Sequence, residues 1–366
     1  MMRALLKRKL VLVGVLFSLL LAVSAEAQQP VPFKGNRTIT VMTRNLYLGA
    51  DLVPVLTAPP DEFPFRVAAA WATVQATNFP ARAQVLADEI AVKQPDLIGL
   101  QEAELWRIQS PGDFLTGNTP ATTVVFDFVE LLLGALNARG LQYEVVAITT
   151  NFDIEAPSIT PNFTFDDIRL TDRDVILART DLKTADLKLS NVQVGNFVSK
   201  LFVLVGDLPV AVPRGWAAVD VKVRGKSFRF VTTHLEVFSP LVQVNQAREL
   251  LKGPGATDLP VVFAGDFNSC ASPPCLDQTP TYGNLIAAGL VDAWSLAGSG
   301  AGFTCCQAEN LLNPISTLNE RIDFVLFRGP FTVVDADLVG DTLADRTPSG
   351  LWPSDHAGVV TTLQFR

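Results

Sequence analysis

The chain has 366 residues, of which 48% are hydrophobic, and its 29 lysines and arginines are outnumbered by 37 aspartates and glutamates, giving a formal net charge of −8. An acidic surface does not attract polyanions, which argues against a high-affinity, non-specific binder of duplex nucleic acid. It still permits a nuclease with a local basic groove. Large α/β folds reach this length as a single domain.

The first 27 residues have the pattern of a secretory signal peptide. Four basic residues lie in Met1–Lys9, Leu10–Val23 is a 14-residue apolar run, and Ala25–Ala27 is a small-x-small cleavage site. The run is shorter than the ~20 residues that span a bilayer, so cleavage is favoured over an uncleaved anchor. We therefore expect a secreted or periplasmic mature chain, residues 28–366, with no membrane span. Its formal charge would be −11, because cleavage removes four basic residues and one acidic residue.

Strands and helices are predicted from the period and the composition of the apolar runs. The predicted strands are Thr38–Thr43, Asp96–Gln101, Tyr143–Thr149, Asp174–Arg179, Trp216–Val223, Phe228–Thr233, Pro260–Ala264, Ile322–Phe327 and Gly358–Gln364. The predicted helices are Ala81–Lys93, Val124–Ala138 and Val242–Lys252. Arg224–Ser227 has the composition of a hairpin turn. This mixture of helices, hairpins and buried strands indicates a layered α/β domain.

One further stretch, Phe197–Val212, is very apolar and has Gly-Asp near its middle. It predicts either an ordinary internal hairpin or an exposed apolar hairpin that contacts lipid. In the second case Phe197, Phe202 and Val203 are the candidates for membrane contact.

The chain contains only two histidines, and each lies in a short polar motif. His234 follows an apolar run in Thr-Thr-His-Leu, and His356 lies in Ser-Asp-His-Ala-Gly. A lone histidine is more often a hydrogen-bonded core residue than a catalytic one. Histidine is nevertheless the side chain that titrates near neutrality, so these two are the first candidates for acid–base chemistry.

Polar side chains recur at the ends of the predicted strands, which favours the catalytic interpretation. They are Asn45, Glu102, His234, Asp266, Asn268, Asp323 and the pair Asp355-His356. An acidic residue after a strand is usually a loop residue or a helix cap, so each alone is a weak signal. Their ordered recurrence predicts one site at the edge of a rigid sheet.

In this order of residues the chain resembles the endonuclease/exonuclease/phosphatase superfamily, from about Thr38 to the C-terminus. The resemblance implies one catalytic domain over residues 28–366, of α/β (α+β) class, with the fold of deoxyribonuclease I. That fold is a four-layer sandwich in which two central mixed β-sheets are flanked by helices, and its site lies at one end of the sheets.

The resemblance also implies a metal site and a catalytic base. Glu102 corresponds to the main ligand of Mg²⁺, or of Mn²⁺ in its place, with Asn45 and Asp355 beside it. Mg²⁺ prefers hard oxygen ligands and binds through one or two carboxylates. His356 corresponds to the base that activates water, and Asp323 orients its ring.

The remaining roles concern the substrate phosphate. Asp266 and Asn268 correspond to residues that position the water and the phosphoryl oxygens. His234 corresponds to a second, phosphate-binding histidine, and Arg173 lies where some relatives place a phosphate-binding arginine. A plain surface salt bridge is the alternative for Arg173.

Two departures from the family pattern leave the number of metals and the partner of His234 undecided. Tyr47 stands where some relatives have an aspartate, so whether one or two metals bind stays open, with Asp51 as a substitute ligand. Relatives with two histidines often pair the first with a glutamate. No such residue can be placed in this sequence, and Asp153 is only a guess.

The four cysteines, Cys270, Cys275, Cys305 and Cys306, all lie in the last third of the chain. Export would allow them to form at least one disulfide, but three connectivities are open. A zinc site is the alternative, which the spacing disfavours because it lacks a Cys-x-x-Cys pair.

The sequence therefore predicts an exported, metal-dependent phosphoesterase, most simply a phosphodiesterase acting on a small, lipid or nucleic-acid ester. A secreted endonuclease or exonuclease is the first alternative, and a sphingomyelinase-like phospholipase is the second. The non-enzyme alternative is a pseudoenzyme that binds a partner, which predicts a decayed catalytic set. Nothing in the sequence implies a protein partner.

Overall fold

A computed structural model describes residues 38–366, except for residues 118, 206–207, 272–274 and 276–278 and the side chains of residues 205 and 208. The predicted signal peptide, residues 1–27, lies outside this range. The described residues belong to one compact unit. None of the helices in this part of the chain is long and apolar enough to cross a membrane.

The described chain forms sixteen strands. In chain order they are β1 (Thr38–Asn45), β2 (Leu97–Gln101), β3 (Leu105–Gln109), β4 (Thr123–Asp127), β5 (Tyr143–Ile159), β6 (Phe165–Arg179), β7 (Lys188–Asn196), β8 (Leu201–Val205), β9 (Leu208–Val212), β10 (Gly215–Val223), β11 (Lys226–His234), β12 (Val261–Asp266), β13 (Val291–Asp292), β14 (Asp323–Arg328), β15 (Phe331–Val339) and β16 (Gly358–Phe365).

Seven α-helices and one 3₁₀ turn, Leu343–Asp345, connect the strands in the described chain. The helices are α1 (Val53–Leu56), α2 (Phe63–Ala76), α3 (Phe79–Lys93), α4 (Phe128–Ala138), α5 (Pro240–Lys252), α6 (Thr281–Ala287) and α7 (Trp294–Ala297).

The strands form two large mixed sheets and a separate two-stranded ribbon. The first sheet has eight strands in the order β15-β16-β1-β2-β6-β3-β4, with β5 also paired to β6. The second has six strands in the order β13-β14-β12-β11-β10-β7, and β8-β9 form the ribbon. The pairs β1–β2 and β11–β12 are parallel, whereas β16 and β14 run antiparallel to their neighbours.

The buried apolar side chains divide into layers that follow the period of two along each strand. In β12, Val262 and Ala264 face the space between the two sheets, and Val261 and Phe263 face α5 and α6. In the first sheet, Met42 joins the layer under α2, α3 and α4. The order is thus helix, sheet, sheet, helix, and the predicted four-layer sandwich is confirmed.

Every predicted strand is present, and the predicted hairpin turn is a two-residue loop between β10 and β11. Arg224 has φ 46° and Gly225 has φ 86°. Two successive positive φ values are what a type I′ hairpin requires, and its twist matches that of the flanking strands.

Two predictions about local structure are wrong. The helix expected over Val124–Ala138 begins only at Phe128, because Val124–Asp127 pairs with β3 and the Asp127 carboxylate caps the helix by accepting from the backbone N–H of Val129 at 3.1 Å. Phe197 does not belong to an exposed hairpin, because its side chain is buried against α5 and the second sheet. Phe202 and Leu204 of β8 are 62% and 66% exposed.

Candidate active site

Strand direction brings the predicted residues to one edge of the two sheets. Asn45, His234 and Asp266 end β1, β11 and β12, while Asp323 begins the antiparallel strand β14. Asp266 lies opposite both His234 and Asp323 in the registers of β11 and β14. Three polar side chains therefore lie side by side on adjacent strands of the second sheet.

These side chains lie on the strand faces that point into the space between the two sheets. Behind them lies a polar layer in which Thr43 donates to Gln101 at 3.0 Å and Gln101 donates to Thr232 at 2.8 Å. This chain of hydrogen bonds joins the first sheet to the second. Gly99 lies beside it, and a Cβ there would come within 2.5 Å of the Thr232 hydroxyl. The edge of the sandwich is thus held at a fixed separation directly under the site.

The predicted metal corner brings together the carboxylates of Glu102, after β2, and Asp355, before β16, with the side-chain amide of Asn45 at the end of β1. Glu102 accepts hydrogen bonds from the Asn45 amide at 3.1 Å and from the Leu48 N–H at 2.6 Å, and it adopts φ 52°. A positive φ in a residue other than glycine is strained and persists at sites where the surrounding structure fixes it. Burial, followed by the Asp355 carboxylate, raises the pKa of Glu102 to about 7. The Asn45 NH2 faces the Glu102 carboxylate while its Oδ1 accepts from the Tyr47 N–H at 2.9 Å, so Glu102 and Asp355 supply the charged oxygens that fit a hard divalent cation.

His356 and Asp323 form a buried, hydrogen-bonded pair in the site. The Nδ1 atom of His356 lies 2.8 Å from Asp323 Oδ2 and 3.8 Å from Asp266 Oδ2. Asp323 is an acceptor, so Nδ1 carries a hydrogen, and Nε2 is the nitrogen that gains or loses a proton. Burial by itself lowers the pKa of His356, but the carboxylates of Asp323, Asp355 and Asp266 outweigh it and hold this pKa well above its ordinary value.

Asp266 links the two histidines and the metal corner. Its Oδ2 accepts from the Asn45 amide at 3.1 Å and lies 3.6 Å from His234 Nε2, while its Oδ1 accepts from the Asn268 N–H at 2.9 Å. Burial, and then the Asp323 charge, raises the pKa of Asp266 to about 7. Asn268 has φ 48°, and its amide donates to the Leu235 carbonyl at 2.9 Å.

The structure corrects the prediction that Arg173 contacts the substrate. The guanidinium of Arg173 donates to the carbonyls of Ala103 and Glu104 and pairs with Asp127 at 2.6 Å, so it braces the start of α4. Arg214 is the arginine of the cleft, and its Nη1 lies 3.0 Å from His234 Nδ1. The sequence carried no motif for it, since its place beside His234 follows from the pairing of β10 with β11.

Asp153 is likewise not the partner of a histidine. Its two carboxylate oxygens accept from Arg169 at 2.8 and 2.6 Å, and one of them also accepts from Thr171 at 3.0 Å. These bonds, made on the strands β5 and β6, engage both oxygens. The partner of His234 is therefore a cation and not the carboxylate that the family pattern suggested.

Two buried residues that sequence reasoning missed hold the loops of the site. Arg82 of α3 is fully buried and donates to the carbonyls of Leu46, Tyr47 and Pro353 at 2.6, 3.1 and 3.0 Å. It thereby ties the loop after Asn45 to the loop before Asp355. A helical arginine in an amphipathic pattern is ordinarily a surface residue, so the sequence contained no signal for this role.

The second is Gln243 of α5. Its side-chain amide donates to the carbonyl of Glu236 at 2.7 Å and to that of Asn268 at 2.6 Å. One side chain thus joins the loops that follow β11 and β12, and it fixes where Asn268 lies.

The site opens into a cleft of about 670 Å³. Among the described residues that line it, eight are acidic and Arg214 alone is a lysine or arginine; the acidic ones are Asp51, Glu102, Glu104, Asp172, Asp266, Glu309, Glu320 and Asp355. Val53 and Phe238 line the cleft and are 39% and 54% exposed, so its rim is partly apolar. The lining is therefore strongly acidic, which favours a bound cation and disfavours a phosphate group on its own.

The cysteines pair within their own loops. Cys270 is bonded to Cys275, and Cys305 is bonded to Cys306. The expectation that at least one disulfide forms agrees with this arrangement, in which each bond closes one loop and none joins the two. Cys305 and Cys306 also line the cleft beside His356. Their sulfurs are bonded to each other, so they offer no thiolates for a zinc ion.

Comparison with known proteins identifies the family to which the chain belongs. A model of the endonuclease/exonuclease/phosphatase family matches residues 69–356, which is more than half of the chain. No curated protein matches the chain in sequence. The chain belongs to the endonuclease/exonuclease/phosphatase family, whose members are hydrolases of phosphate esters and generally depend on a divalent metal.

Solved structures agree with this assignment at the level of the fold. A family protein from Bacteroides thetaiotaomicron has a TM-score of 0.54 and 16% identity, with 90% of this chain and 98% of that one covered. A mannosyl-6-phosphatase from the same organism has a TM-score of 0.53 and 17% identity, over 89% and 100%. TDP2 from D. rerio, complexed with a single-strand DNA product, has a TM-score of 0.52 and 17% identity, over 90% and 100%.

Proposed function

We propose that the protein is an exported, Mg²⁺-dependent phosphodiesterase in which His356 activates water. The observation that carries the proposal is that one cleft is lined by His356, which is paired with Asp323, and by the Glu102 and Asp355 carboxylates of the metal corner. A paired base beside a hard-cation site is the arrangement that hydrolysis of a phosphate ester needs. The set is intact, which speaks against a pseudoenzyme.

The chain's own residues account for the movement of the proton. His356 holds its Nδ1 hydrogen on Asp323, so Nε2 takes the proton of the attacking water, and Asp323 stabilises the imidazolium that forms. Asn268 and His234 line the cleft, where they can donate to the phosphoryl oxygens. Glu102, Asn45 and Asp355 would hold the cation, which when bound would neutralise charge on the phosphate.

The charge of the cleft supports a small or lipid diester over a polynucleotide. A nuclease needs basic side chains along a groove to neutralise successive phosphates, whereas the described lining of this cleft has one arginine and eight acidic residues. The apolar rim and the exposed ribbon of β8 and β9 favour a substrate with an apolar substituent. A nuclease is the first alternative, because one structurally similar protein was solved with a single-strand DNA product.

The test is a panel of phosphate esters assayed with Mg²⁺, with Mn²⁺ and in excess chelator. The panel contains a soluble phosphodiester, the matching monoester, phospholipid vesicles and duplex DNA. We expect metal-dependent hydrolysis of the diesters, and only feeble cleavage of DNA that falls steeply with salt. Full turnover in chelator would end the metal-hydrolase proposal, and fast cutting of DNA at physiological salt would favour the nuclease.

A further inference from the structure

Arg214 and His234 form a pair whose chemistry is fixed by what each group can do. Arg214 Nη1 lies 3.0 Å from His234 Nδ1. A guanidinium has only donors and keeps its proton in proteins, so Nδ1 must be the acceptor. The imidazole is then neutral, with its single hydrogen on Nε2. A carboxylate in the same place would have had the opposite effect, because it would favour a hydrogen on Nδ1 and a positive ring.

The surroundings of Arg214 keep this arrangement in place. Its Nη1 also lies 3.4 Å from Asp172 Oδ2, and the residue directly precedes β10, which pairs with the strand that ends at His234. Burial alone lowers the pKa of Arg214, but the carboxylates of Asp172, Glu236, Glu102 and Asp174 leave it above its ordinary value. The guanidinium therefore stays charged beside the ring.

The hydrogen on Nε2 faces the reaction site. His234 lines the cleft, and its Nε2 lies 3.6 Å from Asp266 Oδ2, which is too far for a hydrogen bond. Burial, followed by the charge of Arg214, holds the pKa of His234 well below its ordinary value. This nitrogen can thus donate one hydrogen bond without carrying a spare proton.

We propose that Arg214 is a positioning residue, which fixes His234 as a neutral imidazole with its hydrogen on Nε2, so that His234 donates to a phosphoryl oxygen of the substrate and does not act as an acid. This assignment of roles rests on the proposed function, since it supposes that a phosphate ester enters the cleft. His234 then gives no proton to the leaving oxygen, which takes its proton from solvent water. Only His356 of the two histidines exchanges a proton with the reactants.

The direct test is the tautomer, and the chain is suited to it because it contains only two histidines. In protein labelled with ¹⁵N-histidine and loaded with Mg²⁺, two-bond ¹H–¹⁵N correlations distinguish a protonated ring nitrogen from a bare one. His356→Asn assigns the spectrum by removing one ring. We expect His234 to have a bare Nδ1 and a protonated Nε2, both in the wild type and in Arg214→Lys, which keeps a donor. A protonated Nδ1 in the wild type would overturn the proposal, whether or not any variant folds.

The second test separates a donor from an acid by rate. In His234→Gln the side-chain amide can still donate where Nε2 did, but it cannot give up a proton. We expect this variant to stay within about tenfold of the wild type on a soluble phosphodiester, and His234→Ala to lose on the order of 10²-fold, the usual cost of removing one such donor. Equal, severe losses in both variants would show that His234 is an acid.

Failure of the inference can be told from failure of the proposed function. Inorganic phosphate added to the Mg²⁺-loaded protein should shift the His234 Hε2 resonance, and this readout needs no turnover. If the chain hydrolyses no ester, the tautomer and the phosphate titration still decide whether His234 is the neutral donor that Arg214 is proposed to fix. If it hydrolyses diesters but phosphate leaves Hε2 unmoved, only the donor role of His234 falls.

Discussion

At the scale of single residues, the site is a set of buried charges held close together by hydrogen bonds. Glu102 and Asp266 both have a pKa raised to about 7, and burial is the main cause in each case. Groups with perturbed pKa values in a cleft are where chemistry is concentrated, and they cost folding stability. The neighbouring polar layer of Thr43, Gln101 and Thr232 stabilises the edge that carries them.

Replacing Glu102 tests the metal corner. Glu102→Gln keeps the size and the acceptor for the Leu48 N–H but removes a hard, charged ligand. We expect Mg²⁺ affinity, measured by calorimetry, to fall at least tenfold, with activity recovered only in part at high Mg²⁺. As the matched control, Glu130→Gln on α4 changes an exposed glutamate and should leave the affinity unchanged. Wild-type affinity in Glu102→Gln would remove this residue from the metal site.

At the scale of the elements, α3 acts as a clamp on the loops of the site. Its Arg82 supplies donors to carbonyls on both sides of the metal corner, and its guanidinium lies 4.8 Å from the centre of the Phe79 ring. The cation–π contact and the hydrogen bonds together balance the desolvation of a buried charge.

Arg82→Met should therefore be costly. It leaves buried carbonyls without donors, and we expect the free energy of unfolding to fall by about 3–5 kcal/mol, with loss of activity in the protein that remains folded. Denaturant unfolding measures the first effect. Arg66→Met on α2 is the control, because its ion pair with Glu62 is half exposed and should contribute under about 1 kcal/mol. Equal effects in the two variants would contradict the clamp.

The ribbon of β8 and β9 is the element that distinguishes a lipid substrate from a soluble one. We expect Phe202→Asp with Leu204→Asp to reduce hydrolysis of phospholipid vesicles at least tenfold, because burial of apolar side chains drives binding to a bilayer. Turnover of a soluble diester should hardly change. Val92→Asp, on the exposed face of α3, is the control. If the ribbon variant still acts on vesicles like the wild type, the ribbon does not contact lipid.

Strand positions and strand-end residues could be predicted from the sequence, whereas contacts that depend on register could not. Asn45, Glu102, Asp266 and His356 follow from local motifs beside apolar runs, so their common edge was foreseeable. Arg214 and Arg82 lie far from the site in sequence, and only the fold brings them to it. The start of α4 was missed because Val124–Asp127 is apolar enough to extend the helical pattern. In the structure this segment pairs with β3 as a strand.

At the scale of the whole molecule, buried carboxylates should make the stability of the protein depend on pH. Asp96 lies at the end of β2 remote from the cleft and accepts from the Thr40 N–H at 2.8 Å. Burial raises its pKa to about 6 from an ordinary 3.8, although Thr40 and Arg179 act in the other direction. Between pH 3.8 and about 6 the folded state binds more protons than the unfolded state. The contribution of protonated Asp96 to stability is therefore complete below pH 3.8 and is lost as the pH rises through about 6.

Asp96→Asn keeps the acceptor for Thr40 and cannot ionise. We expect the variant to gain stability relative to the wild type as the pH rises from about 4 to about 7, by at most ~1.4 kcal/mol per pH unit. Denaturant unfolding at a series of pH values measures the difference. Asp61→Asn is the control at an exposed position, and its free energy of unfolding should change with pH as that of the wild type does. Parallel curves for Asp96→Asn as well would contradict a raised pKa.

The central claim is that the cleft at one edge of the two packed sheets is a hydrolytic site in which His356 is the base. The most direct measurement is the rate of hydrolysis of a soluble phosphodiester by His356→Ala at saturating Mg²⁺, with metal affinity measured on the same sample. We expect turnover to fall on the order of 10²–10⁴-fold, the usual contribution of a positioned base, while metal affinity stays near that of the wild type. Turnover close to the wild-type rate with Mg²⁺ bound would contradict the account.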